Sequence, residues 1–196
     1  MRLTLEELLS ELKAREESIQ DIQFDYEQTI IVSSADKQEK SSGRVVFKAP
    51  DRFKIDREGP HPQTFVCNGK KLWIYSPRFK QVVVEAWKGW SRSKVPPGLI
   101  NVGKYVDFLK ENFTLTGDGA SDPSSYIVTA APKDAREPPT TLKLWIHRLD
   151  YLPLQMEWRS ESVLIKTKIT RFNLNPGSDD RVFEFKTTPD MDIVHL

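Results

Sequence analysis

Residues 43–56 read Gly43-Arg44-Val45-Val46-Phe47-Lys48-Ala49-Pro50-Asp51-Arg52-Phe53-Lys54-Ile55-Asp56. Val45 and Phe47 share one parity and Arg44 and Lys48 the other, the two-residue period of a strand with one buried face. Pro50 interrupts the run because it has no N–H to give to a ladder, and Phe53 and Ile55 resume the apolar parity beyond it. Working upstream, Phe24, Tyr26, Gln28, Ile30 and Val32 alternate with Asp25, Glu27, Thr29 and Ile31. Between these runs, Ser33 to Ser42 is polar and reads as a turn. Downstream, Thr64–Cys67, Lys71–Tyr75 and Gln81–Glu85 continue the strands. Asn68-Gly69 between two apolar runs signals a hairpin, and Ser76-Pro77 marks a second break. Leu72-Trp73-Ile74-Tyr75 does not alternate, so that strand is expected to be covered on both faces.

The chain opens on a different period. Thr4 followed by Glu7 has the form of a capping box, and Leu5, Leu8, Leu9 and Leu12 recur at i, i+3, i+4 and i+7. This predicts an amphipathic helix covering the core, with Ile19 and Ile22 continuing its stripe after the charged stretch Lys13 to Glu17. A second short helix is traced by Leu99, Val102, Val106 and Leu109, after an irregular basic stretch holding Trp87, Trp90, Pro96, Pro97 and Gly98. Further strands are expected at Phe113–Asp118, Tyr126–Ala131, Thr140–His147, Leu154–Ser160 and Val163–Phe172, with a last one at Val182–Phe185. About eleven short strands at hairpin spacing with two helices predict a mainly β (α+β) fold: an antiparallel sheet curled into an open or partly closed barrel, in one domain spanning 1–196.

Composition limits the function. A chain of 196 residues with 38% hydrophobic and 29% charged residues is globular rather than disordered. Its 29 Lys and Arg against 28 Asp and Glu leave a net charge of +1, which provides no long-range field for steering nucleic acid. No stretch reaches the ~20 apolar residues of a membrane helix. The N-terminal leucines are interrupted by Glu6, Glu7 and Glu11 and do not form a signal sequence. Either the chain works in the cytosol, or an export signal has been removed ahead of Met1.

Catalytic constellations are weak. His61, His147 and His195 lie in unrelated contexts with no second ligand at metal-binding spacing. Cys67 reads as a small buried hydrophobe, and as the only cysteine it excludes an internal disulfide. The acidic pairs Glu6-Glu7 and Glu16-Glu17 read as the solvated face of the first helix. No phosphate loop, dinucleotide fingerprint or Gly-x-Ser-x-Gly is present. Arg78-Phe79-Lys80 and Trp87–Arg92 interleave basic and aromatic residues, as a nucleic-acid groove would. With balanced charge they read better as loops whose tryptophans cover an apolar mouth. The large apolar side chains of one strand parity are then the notable feature: Phe24, Tyr26, Ile30, Val45, Phe47, Phe53, Ile55, Leu154, Met156, Trp158, Ile165 and Ile169. A small barrel packs such residues against each other, whereas a wider one leaves a cavity for a ligand. The residues themselves leave both open, with a filled core the simpler reading.

A set of motifs in this order resembles the LolA-type family of periplasmic lipoprotein carriers. They are Phe24-x-x-x-Gln28, Gly43-x-x-x-Phe47-Lys48-Ala49-Pro50-x-Arg52-Phe53-Lys54, Asn68-Gly69-Lys70-x-Leu72-Trp73-x-Tyr75-x-Pro77 with Gln81-Val82, and the ending Phe183-x-Phe185-x-x-x-Pro189. The resemblance implies an unclosed antiparallel half-barrel covered by a helical lid, in a periplasmic protein whose signal has been removed. It implies a monomeric binding protein, not an enzyme, that uses no cofactor or metal. It further implies acylated lipoproteins or lipids as cargo, received from an inner-membrane ATP-driven complex and passed to an outer-membrane receptor. Carried over by position, Leu5, Leu8, Leu9, Leu12, Leu99, Val102, Val106 and Leu109 form the lid. The cavity lining is Phe24, Tyr26, Ile30, Val45, Phe47, Phe53, Ile55, Leu72, Ile74, Met156 and Trp158. Family members usually carry a lid-latching arginine just before the proline that is Pro50 here, where this chain has Ala49, and Lys48 on the opposite parity cannot simply replace it. Two other readings stay open: a regulatory domain that uses the same half-barrel to sense lipids, lipoproteins or a partner protein, and an enzyme acting on a lipid with the barrel as its pocket.

Overall fold

A computed structural model describes residues 3–35, 37–87, 105–118, 123–134 and 139–196. Its helices are α1 (Leu5–Glu17) and α2 (Tyr105–Asn112). The strands are β1 (Asp21–Val32), β2 (Lys37–Lys48), β3 (Arg52–Glu58), β4 (Gln63–Asn68), β5 (Lys71–Ser76), β6 (Gln81–Ala86), β7 (Phe113–Asp118), β8 (Ser125–Pro132), β9 (Thr141–His147), β10 (Pro153–Arg159), β11 (Val163–Leu174) and β12 (Asp192–His195). They form one unclosed sheet in the order β12-β6-β5-β4-β3-β2-β1-β11-β10-β9-β8-β7.

The mainly β fold with two helices agrees with the sequence reading, and the differences are local. The described residues form twelve strands where about eleven were expected, and β12 runs parallel to β6, with Ile193 opposite Val82, so the sheet is not wholly antiparallel. The predicted strand at Val182–Phe185 is instead a 3-10 turn, Asp180–Phe183, started by the Asp179 side chain accepting the Arg181 N–H at 2.9 Å. Of the segment Ser33–Ser42 expected to be a turn, Ser33–Ala35 is a 3-10 turn. Beyond it β2 already runs from Lys37, because ladder bonds use the backbone and tolerate polar side chains that face solvent. Helix α1 stops at Glu17, closed by the Ser18 N–H on Ala14 and Arg15. Ile22 therefore belongs to β1, where it is buried. Leu99 and Val102 of the expected second helix lie outside the described residues, and α2 holds Val106 and Leu109.

Two compact units divide the chain. The first comprises Met1–Ser18, Gln28–Glu39 and Pro96–Ile169, and the second Ile19–Glu27, Lys40–Val95 and Thr170–Leu196. In the first, cross-strand pairs place Leu115, Ala130, Leu142 and Trp158 in one row and Gly117, Val128, Leu144 and Met156 in the next, on one face. Leu8 of α1 and Leu109 of α2 pack into this face, joined at its margin by Leu3, Leu5, Leu12, Tyr105 and Phe113. Full burial of one such leucine contributes about 1.5–3 kcal/mol. The capping box foreseen at Thr4 is formed, with Glu7 accepting the Thr4 N–H at 2.8 Å and Thr4 Oγ1 accepting the Glu7 N–H at 3.2 Å.

In the second unit the pairs Val45–Ile55, Phe47–Phe53, Ile55–Phe65, Phe53–Cys67, Phe65–Ile74 and Cys67–Leu72 align on one face of β2–β5. Gly43 shares this parity. A Cβ there would stand 2.2 Å from the Asp56 carbonyl oxygen and 2.8 Å from the Tyr26 ring, so the motif needs a glycine for this close approach. The Asn68-Gly69 hairpin is also present, with Gly69 at φ +85° and Asn68 Oδ1 accepting the Lys70 and Lys71 N–H groups at 2.9 Å each.

Candidate functional site

Each unit presents an apolar face, and the predicted lining residues divide between them. In the second unit Phe24, Tyr26, Val45, Phe47, Phe53, Ile55 and Leu72 are all buried, with Phe47 and Phe53 1% exposed and Leu72 0%. Ile74 is half-buried. Trp87, the first tryptophan of the irregular basic stretch, covers this face by meeting the Phe53 ring edge-on at 5.3 Å. Trp90 lies outside the described residues. Burial pushes the Cys67 thiol up to about 11, and its Sγ lies 3.3 Å from the Asp51 carbonyl. It is an inert filler, as the sequence suggested.

The opposite face of the same strands carries Lys48, Arg52, Trp73 and Tyr75. The C-terminal segment lies along it. Phe185 stacks on Trp73 at 6.4 Å and tilts against Tyr75 at 5.8 Å, which supplies the second cover that the non-alternating Leu72–Tyr75 strand called for. Lys48 Nζ donates to the Ser178 carbonyl (2.8 Å) and to Asp180 (2.5 Å), and Arg52 pairs with Asp180 at 2.8 Å. Lys48 thus serves to hold the C-terminal segment. The Ala49 N–H donates to the Gln20 carbonyl at 2.8 Å, and its methyl offers no latch. Asp21 fastens the same segment by accepting the Gly177 and Ser178 N–H groups. Burial raises its carboxyl, but these hydrogen bonds and the Lys48 charge outweigh that and hold it below the ordinary 3.8.

In the first unit Met156 is buried, and Trp158 and Ile30 are half-buried. Leu154 falls on the register shift between Pro153 and Gln155 and leaves the strict parity that the sequence suggested. The same unit holds a buried, satisfied polar pair, Gln28 Nε2 donating to Thr167 Oγ1 at 3.0 Å. Of the predicted lid, Leu8, Leu9, Val106 and Leu109 are buried and Leu5 and Leu12 half-buried, all on the helices that cover this face.

What the sequence reading missed is how these helices are fastened. Glu16, assigned to a solvated face, accepts the backbone N–H groups of Tyr105 and, at 3.3 Å, Val106, the first residues of α2. Lys13 pairs with Asp107 at 2.8 Å, and Arg15 Nε donates to the Asp150 carbonyl at 3.0 Å. A carboxylate at a helix N-terminus is favourable because unpaired N–H groups and the positive end of the dipole meet it there. The i, i+3 spacing of Lys13 and Glu16 was a signal of one shared edge, but their partners lie about ninety positions away and leave no local trace.

Among the described residues no group of three or more His, Cys, Asp and Glu side chains is placed to hold a metal ion. His147 Nδ1 instead lies 2.9 Å from Asp150 in a partly exposed turn. No helix of the described residues is long and apolar enough to cross a membrane. Phe79 is 72% exposed, with Arg78 5.9 Å from its ring.

Known proteins share this arrangement. An outer-membrane lipoprotein carrier protein of Coxiella burnetii (strain CbuK_Q154) is 25% identical over 191 residues, covering 97% of this chain and 84% of the relative. Among solved structures, an uncharacterized conserved protein from Thermus thermophilus superposes with a TM-score of 0.57 at 14% identity, covering 97% and 98% of the two chains. The MucA/MucB complex of Pseudomonas aeruginosa contains a chain that matches with a TM-score of 0.53 at 13% identity, covering 91% of this chain and 61% of that one. These structural likenesses concern the fold. The family described as outer membrane lipoprotein carrier protein LolA matches residues 17–186. With that match over most of its length, this chain belongs to the LolA family.

Proposed function

We propose that this chain is a periplasmic carrier that holds the acyl chains of lipoproteins against its apolar faces and shuttles them from the inner to the outer membrane. It takes cargo from an ATP-driven inner-membrane complex and passes it to an outer-membrane receptor. The reading needs no cofactor and no chemical step, and it treats residues 1–196 as one monomeric working domain. The observation that carries it is the helix-covered face of the first unit. There Leu8 and Leu109 pack in one apolar cluster with Val128, Leu144 and Met156, while polar bonds from Lys13, Arg15 and Glu16 fasten the cover.

Such a cover suits exchange. Each acyl methylene withdrawn from water is worth about 0.8 kcal/mol, so an acylated protein needs shielding to cross an aqueous gap. Cargo that displaces leucines trades one apolar contact for another, which keeps net affinity modest. Modest affinity is what hand-over requires, since cargo moves only toward the tighter site. The lining comprises Met156, Trp158 and Ile30 in the first unit, and Phe24, Tyr26, Val45, Phe47, Phe53, Ile55, Leu72 and Ile74 in the second. The lid residues are Leu5, Leu8, Leu9, Leu12, Val106 and Leu109, with Leu99 and Val102 assigned from the sequence.

Native mass spectrometry of the protein gently extracted from cells tests this. A co-purifying acylated protein supports the carrier. A stoichiometric unlipidated partner replaces it with the sensing reading, and an empty chain that turns over lipid replaces it with the enzyme.

A further inference from the structure

We propose that the Tyr105 hydroxyl is a hydrogen-bond donor for the carbonyl oxygen of an acyl ester or amide, and so selects which lipids the helix-covered face accepts. This rests on the carrier reading. Tyr105 is the first residue of α2, and its ring packs at the edge of the apolar cluster built by Leu8, Leu109, Val128 and Leu144. Its hydroxyl is buried and has no hydrogen-bond partner among the described residues. That is an unfavourable state for a polar group, because burial removes its water and nothing replaces it. The contrast lies on the same unit, where Gln28 and Thr167 satisfy each other at 3.0 Å.

The root of Tyr105 is fixed, since its backbone N–H is held by Glu16. The unmet hydroxyl therefore sits at a set place on the cover. Burial, followed by the nearby Glu16 charge, pushes the phenol up, so it stays protonated and able to donate. A hydrocarbon tail has nothing to accept this bond, whereas an ester or amide carbonyl does. The Glu16 carboxylate beside it disfavours a free fatty-acid anion, which leaves the neutral carbonyl of an acyl linkage as the matching chemistry.

Tyr105→Phe removes only the hydroxyl. Binding is read by displacement of a fluorescent apolar dye with methyl decanoate and with dodecane, and thermal unfolding is followed without ligand. The expected result is a roughly 3- to 10-fold loss of affinity for the ester with the alkane unchanged. In the empty protein Tm should rise by about 3 °C, because an unsatisfied buried group is gone. Equal effects on ester and alkane, no effect on either, or a lower Tm would overturn the assignment. If the wild-type protein takes neither compound, the carrier reading itself fails, and the role of Tyr105 with it.

Discussion

Replacing Glu16 by alanine isolates the fastening of the cover from its apolar packing. Among the described residues, the Glu16 side chain accepts the Tyr105 and Val106 N–H groups at the start of α2. Loss of a side-chain cap to alanine costs about 0.5–2 kcal/mol, and the removed charge at the helix N-terminus adds about 0.3–1 kcal/mol. Since the side chain is only part-buried, a total of about 1–2 kcal/mol is reasonable. At tenfold per 1.4 kcal/mol, the open population of α2 should rise roughly 5- to 30-fold. Amide hydrogen exchange reads this directly, because local opening sets the rate. The α2 amides should exchange faster by that factor in Glu16→Ala, while Val128 and Leu144 in the strands beneath keep their protection. Dissociation of a bound fatty-acyl probe should accelerate in parallel. Unchanged α2 exchange, or an equal rise throughout both α2 and the strands, would refute the claim that Glu16 fastens the cover as a separable element.

Two further substitutions probe the second unit. The Asp21 carboxyl sits below its ordinary 3.8, so its contribution is present above that pH and lost as pH falls through the lower folded value. Asp21→Asn should therefore lower stability by about 1–3 kcal/mol at pH 7, with a difference from wild type that shrinks at pH 3. Urea midpoints at the two pH values check this, and an equal difference at both would refute it. Gly43→Ala would force a methyl against the Asp56 carbonyl and the Tyr26 ring and should cost about 1–3 kcal/mol or more, seen as a lower urea midpoint. An unaltered midpoint would show that the glycine is not needed for the close approach.

The strands were legible because their side chains alternate: Val45, Phe47, Phe53 and Ile55 announce one buried face without reference to anything distant. The capping box at Thr4 and the turn at Asn68-Gly69 were legible for the same reason, since each is complete within a few residues. The functions of Glu16, Lys13 and Lys48 were not. Each is a charged residue whose pattern matches an exposed face, and each meets its partner far along the chain, at Tyr105, Asp107 and Asp180. The 3-10 turn at Asp180–Phe183 also escaped the reading, because Val182 and Phe183 look like strand residues until Asp179 caps the turn. Strand β12 has too few residues to show a period, and only its backbone pairing with β6 defines it. Tyr105 was equally silent: nothing in a sequence says that a hydroxyl will be buried without a partner.

In the carrier reading, an acyl chain is what the apolar faces hold. Titration of the protein with a fluorescently labelled lipopeptide and with the same peptide lacking its acyl chains measures this most directly. Saturable binding of the acylated form only is expected, accompanied by loss of protection in α1 and α2. Equal affinity for both peptides, or binding of the acylated form with Leu8, Leu109, Phe47 and Phe53 left unperturbed, would contradict it.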